Sequence, residues 1–248
     1  MADASLPDLA DTREPVNDAQ AIVRKRFPDA VVALLGSAVL GARRTPTSDL
    51  DLVVVRAEQT SPRWEGFHHG PWPVEAFVSD RRGWNACIDA EVRARRPVVL
   101  DVSATGIALS SNEETRALQR EARELLADGP LAATQAELEL ARRLLGDLVQ
   151  DLSSGLQGCE QTFVIEAIAR QSAELFLLGR RRWLGVGKWL GRALSDGDAS
   201  LAEGLDVAVR SACDGNVEPL VAVVAAVVDS TGGPPLPDWT AAANPSKR

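Results

Sequence analysis

The sequence predicts an α+β protein: a small mixed sheet within residues 1–110, then an all-helical bundle over 111–230 and a flexible tail over 231–248. Three observations carry that reading. Before residue 110 the apolar residues fall in short runs rich in β-branched side chains, AVVALL, LDLVVV and WPVEAFV, which suit strands. Beyond residue 112 they recur at three- and four-residue spacing, the period of a helix with one buried face. Between the two lies the polar break Ser110-Ser111-Asn112, where a helix can be capped.

Residues 1–16, with Pro7 and Pro15, read as a loose lead-in. Asn17 or Asp18 is placed to cap a helix carrying Ile22, Val23 and Phe27 on one face and ended by Pro28. Ala30–Leu35 is a strand stopped by Gly36-Ser37, and Ala38–Ala42 begins a short helix. Pro46-Thr47-Ser48 is turn chemistry ahead of a strand over Leu50–Val55. Gln59–Gly70, interrupted by Pro62, Gly66 and Gly70, reads as an irregular connection to a third strand, Trp72–Val78. Asp80 caps a helix through Trp84, Ile88 and Val92, and Val98–Val102 reads as an edge strand. Asn112 then caps a charged helix to about Ala127, broken by Gly129-Pro130. Further helices are expected over 132–153, 160–182, 187–195, 198–212 and 216–229.

Composition narrows the function classes. A formal charge of −8 and a pI near 4.9 argue against general nucleic-acid binding, which uses basic faces. They are compatible with a cationic small molecule. Cys87, Cys159 and Cys213 lie far apart with no CxxC pair, so neither a zinc site nor a disulfide framework is indicated. The first residues lack the basic and apolar regions of a signal peptide, and no apolar run reaches the roughly 20 residues that span a bilayer. A cytoplasmic protein without membrane contact is expected.

The chemistry gathers in Val31–Arg56. An apolar run ends in Gly36-Ser37, residues 38–48 intervene, and Asp49-Leu50-Asp51 heads a second apolar run. On a strand, side chains alternate, so Asp49 and Asp51 share a face. Glu75 lies in the next expected strand, among apolar neighbours that make an unpaired carboxylate costly. Three carboxylates from two strands suit Mg²⁺, a hard cation whose coordination is completed by substrate phosphates. A Gly-Ser turn with free N–H groups could hold those phosphates, with the Ser37 hydroxyl as a further donor.

Gly36-Ser37, the spacer, Asp49-Leu50-Asp51 and a later acid at Glu75 together resemble the nucleotidyltransferase superfamily of the DNA polymerase β type. The resemblance covers roughly residues 30–80. It implies a nucleotidyltransferase domain in which Asp49 and Asp51 ligate Mg²⁺, while Gly36, Ser37 and Ser48 hold the triphosphate of ATP. Among the antibiotic adenylyltransferases of the streptomycin and spectinomycin type, the third acid is the general base. That implies Glu75 as base, metal ligand or both, with Glu65 as its rival. The segment Ile168–Leu194 is similar to a helix–Gly–Lys–helix stretch in those enzymes and implies that Lys188 reaches the phosphates.

Other residues have plainer readings beside functional ones. Arg180–Arg182 suits a helix C-terminus or a phosphate cleft, and Arg43 and Arg44 suit a solvated loop or phosphate contact. His68 and His69, being adjacent, point apart in an extended segment and do not chelate together. Trp64, Trp72 and Trp84 suit core or cleft wall, with Trp64 able to wall an acceptor pocket. The leading expectation is transfer of AMP from ATP to the hydroxyl of a small acceptor seated between the two domains. An aminoglycoside-like cation fits the acidic chain, which would make the enzyme one of antibiotic resistance. AMP transfer to a protein partner and a non-catalytic nucleotide-binding module are the alternatives.

Overall fold

The first strand, β1 (Ala30–Leu35), is where the sheet begins, antiparallel to β2 (Leu50–Arg56) with Leu35 opposite Leu52. In this computed structural model residues 13–41 and 47–234 are described. The expectations for Arg43 and Arg44, for residues 1–12 and for most of the tail (235–248) lie outside the described residues. Strand β3 (Arg63–His69) forms an antiparallel hairpin with β4 (Trp72–Ser79), and β4 runs parallel to β2. The two-residue β5 (Ile107–Ala108) closes the other edge, giving a mixed five-stranded sheet in the order β3-β4-β2-β1-β5. The fold is α+β, as the hydrophobic pattern implies.

One face of the sheet packs on α1 (Arg13–Arg26), where Ala19, Ile22 and Phe27 meet Leu50, Leu52, Val54, Val74, Ala76 and Val78. Those strand positions alternate, so the intervening residues face the other way. The helix starts earlier than Asn17. Pro15 is accommodated in the first turn, where a missing N–H costs nothing. Asp18, expected as a cap, instead accepts from the Trp72 indole Nε1 at 2.8 Å.

Beyond β4, Asp80 caps α2 (Arg81–Ala94) by accepting from the Gly83 N–H at 2.7 Å. Val98–Val102, expected as an edge strand, belongs largely to a helix, α3 (Val99–Thr105). Its Val99, Leu100, Ser103 and Ala104 are buried at helical spacing. The Glu91 carboxylate accepts from the Val99 and Leu100 N–H groups at 2.7 and 2.9 Å, satisfying the helix start. A short apolar run bears no periodicity that separates strand from helix, and here the cap decides.

Asn112 caps α4 (Glu113–Asp128) as expected. The chain forms two compact units that divide after Gly129, so α4 belongs to the sheet unit. Asn112 fixes this: its Oδ1 accepts from the Thr115 N–H at 2.8 Å while its Nδ2 donates to the Val31 carbonyl at 2.7 Å. The polar break at 110–112 is thus a tether to β1 rather than a boundary.

The second unit holds α5 (Gln135–Ser153), α6 (Gly158–Gly179), α7 (Lys188–Gly197), α8 (Ala199–Cys213) and α9 (Glu218–Ser230). Leu145, Ile168, Leu177, Ala212 and Leu220 are among the side chains fully enclosed in its core. Arg142 is buried there too, ion-paired with Glu139 and donating to the Thr231 carbonyl, so it ties α5 to the end of α9. Among the described residues no strand follows Ala108, and no helix is long and apolar enough to cross a membrane.

Replacing Asn112 by Ala removes a cap and a tether together and should lower stability by about 1–3 kcal/mol. Urea denaturation would show it as a lower midpoint with unchanged slope.

Candidate active site

The pairing of β1, β2 and β4 brings the acids together. After the Leu35–Leu52 pair, the Gly36 N–H donates to the Asp51 carbonyl at 2.8 Å. On the other side of β2, Asp51 lies opposite Glu75 of β4. Residues directly opposite share a face, and this face is the one turned away from α1. Asp49, two positions before Asp51, completes the group. The carboxylates of Asp49, Asp51 and Glu75 each offer an oxygen, and these oxygens lie within 4.8 Å of one another. Asp49 and Asp51 are half-buried, whereas Glu75 is exposed.

Gly36 is required here for space. Its φ of −56° is open to any residue, but a Cβ would lie 3.0 Å from the Asp51 Cβ and 3.6 Å from the Asp51 Oδ2. A side chain there would press on the Asp51 carboxylate. The N–H expected to be free for phosphate is therefore already engaged by Asp51. The turn that follows, Ser37–Leu40, is a short 3₁₀ helix, whose first N–H groups have no partner within the turn. Ser48 is half-buried immediately before Asp49.

Glu65, the rival third acid, is drawn elsewhere. Arg26 of α1 approaches its carboxylate at 2.9 Å and Arg63 at 2.7 Å. Partial burial pushes this carboxyl up, but the bonds from Arg26 and Arg63 outweigh it and hold it below its ordinary value. It is a structural ion pair, and it is not part of the three-acid group.

The irregular connection expected over Gln59–Gly70 contains β3. Gly70 at φ +55° followed by Pro71 makes a two-residue hairpin turn of the primed kind, which matches strand twist. The loop-forming residues had masked the alternation in Arg63–His69. On β3, Gly66 lies opposite Glu75 and Trp64 opposite Phe77. The rings of Trp64 and Phe77 meet edge to face, 5.5 Å between centroids. Trp72 and Trp84 are buried, while Trp64 is 55% exposed. Trp64, Glu65, Gly66 and Glu75 line an open depression of about 290 Å³ beside the acids. His68 and His69 face opposite sides of β3, as their adjacency requires.

The remaining candidates lie in the second unit. Lys188 is the first residue of α7, after Gly187 at φ +52°. Gly185 allows the approach to that helix, since a Cβ there would fall 2.2 Å from the Trp189 carbonyl carbon. Arg180 stacks over Phe176 at 3.6 Å and Arg181 donates to the Pro130 carbonyl at 2.8 Å, both just past the end of α6. They serve the helix end. Cys87 offers no nucleophile at neutral pH: burial, helped by Glu91, pushes its thiol up to about 11.

The structure is similar to the crystal structure of a nucleotidyltransferase-like protein from Exiguobacterium sibiricum, at 12% identity, covering 88% of this chain and 77% of that one with a TM-score of 0.40. A likeness that distant carries no argument about chemistry, which rests on the carboxylates themselves. No protein-family model matches the chain, and a comparison with curated proteins finds no match.

Two outcomes follow from this geometry. Gly36→Val should displace Asp51 and weaken Mn²⁺ binding about tenfold or more, measured by calorimetry, while circular dichroism stays native. Glu65 has a folded pKa below its ordinary 4.5, so its stabilising contribution is full above that value and lost as pH falls through the folded pKa. Glu65→Gln should accordingly flatten the loss of denaturation midpoint between about pH 5 and pH 3.

Proposed function

We propose that this protein is a divalent-cation-dependent nucleotidyltransferase that moves AMP from ATP to a hydroxyl of a small acceptor. One observation carries the proposal: Asp49, Asp51 and Glu75 present oxygens within 4.8 Å of one another on one sheet face, and the third is exposed to incoming molecules. Three hard oxygen donors so close together suit Mg²⁺ by ligand type. Asp49 and Asp51 would hold it, with Glu75 at its edge. When bound, such an ion supplies charge stabilisation to the phosphates and lowers the pKa of a coordinated oxygen.

The chain's own residues divide the remaining work. Glu75 accepts the proton of the acceptor hydroxyl. The freed oxygen forms a bond to the α-phosphorus of ATP, the bond from that phosphorus to the bridging oxygen breaks, and pyrophosphate leaves. Ser37, Ser48 and the turn after Gly36 are assigned to the triphosphate, and Lys188 to the same phosphates, on the strength of the sequence resemblance. The net charge of −8 favours a cationic acceptor such as an aminoglycoside-like molecule.

With Mg²⁺-ATP and a hydroxylated, amine-bearing acceptor panel, the protein should release pyrophosphate in an acceptor-dependent manner. Glu75→Gln should lower kcat by about 10²–10⁴ while ATP binding by calorimetry persists. A Glu75→Gln protein that transfers AMP at the unaltered rate would remove Glu75 from the role of base. Lys188→Ala should raise the KM for ATP and leave the KM for acceptor unchanged.

A further inference from the structure

The two edges of the sheet are finished differently. At one end β5 has only two residues, Ile107 and Ala108, which leaves little backbone for another chain to pair with. At the other end β3 has seven, Arg63–His69, and its register on β4 runs unbroken from Arg63 opposite Val78 to His69 opposite Trp72. Edges of that length are commonly guarded by a bulge, a proline or a lysine within the strand, and β3 carries none of these. Among the described residues no strand pairs with its outer side.

Strand geometry fixes which groups lie on that side. The two-residue turn makes His69 and Trp72 a hydrogen-bonded pair, so Phe67, Glu65 and Arg63 also bond to β4. Trp64, Gly66 and His68 therefore turn N–H and C=O away from the sheet, and all three are exposed. Their spacing is symmetric about Gly66, so the edge complements itself. When two copies pair antiparallel with Gly66 on the two-fold axis, every outward N–H meets a C=O, about six hydrogen bonds in all.

The side chains suit that register. At the axis glycine meets glycine, so no like charges or bulky groups face each other. Trp64, 55% exposed, comes opposite the partner's His68, ring beside ring. On the other face Glu65 comes opposite the partner's Phe67. In each copy the Arg26 guanidinium sits 4.3 Å over that phenylalanine ring, so an acid meets a cation across the seam. This charge match selects a second copy over a foreign strand.

We propose that β3 is a dimerisation edge: two copies of this chain pair antiparallel through Trp64, Gly66 and His68 and join their five-stranded sheets into one. A seam of one strand is smaller than a standard interface, so the dimer is reversible, with a dissociation constant on the order of 10–100 μM. The pairing does not depend on the transferase reading.

The test follows the full chain by sedimentation velocity from about 5 to 500 μM, with amide hydrogen exchange read by NMR at both ends of that range. The expected result is conversion from monomer to dimer. With it, exchange at Trp64, Gly66 and His68 should slow about fourfold or more, while the amides of Arg63, Glu65, Phe67 and His69 are unchanged. Gly66→Pro removes an outward donor and no bond to β4, a change that edge strands tolerate, and should weaken association about tenfold or more. Gly66→Val keeps the donor and should still dimerise. A monomer at every concentration would overturn the second copy as the occupant of this edge. So would a dimer in which the Trp64, Gly66 and His68 amides exchange as in the monomer, or natively folded Gly66→Pro protein that associates as well as Gly66→Val.

Discussion

The parallel pairing of β2 with β4 is the constraint on which the site depends. It sets Asp51 opposite Glu75, and it is itself enforced from the far side of the sheet. Leu50, Leu52, Val54, Val74, Ala76 and Val78 must all face α1 to bury their apolar surface. A slip of one residue in either strand would turn that whole set into solvent and carry an acid into the core. The hydrophobic core therefore positions the carboxylates without touching them. Gly36 does the same from β1, by closing the ladder on the Asp51 carbonyl and leaving its side chain room.

Electrostatics separates the acids into two kinds. Glu65 occupies the α1 side of the hairpin, where Arg26 and Arg63 compensate it and the Arg26 guanidinium also stacks over Phe67 at 4.3 Å. Glu75, one strand away and on the other face, joins Asp49 and Asp51 instead. Two glutamates of the same hairpin thus have opposite fates because strand alternation sends them to opposite faces. The three-acid group, with its oxygens gathered within 4.8 Å, is the one whose geometry could hold a cation.

Much of this was legible in the residues. The three core strands, the spacing of Asp49 and Asp51, the Asp80 and Asn112 caps and the helical second half follow from periodicity and capping chemistry. What was not legible depends on distant contacts. Pro62, Gly66 and Gly70 read as loop because nothing local shows that β4 lies alongside to pair with β3. Val98–Val102 read as strand because the Glu91 carboxylate that caps α3 comes from another helix. The Gly36 N–H looked free because its acceptor is a backbone carbonyl 15 residues later, which no side-chain motif announces. In each case the missing information was a hydrogen-bond partner far away in sequence, and local propensity yields to such contacts.

The central claim is that Asp49, Asp51 and Glu75 form one cation site serving a nucleotide. Its most direct test is anomalous diffraction at the manganese edge from crystals grown with Mn²⁺ and a non-hydrolysable ATP analogue. The predicted result is a peak at metal–ligand distance, about 2.1 Å for a magnesium-sized ion, from carboxylate oxygens of Asp49 and Asp51, with the nucleotide phosphates beside it and Glu75 bordering it. Nucleotide bound with no anomalous peak at these carboxylates, or with the peak at another cluster, would contradict it.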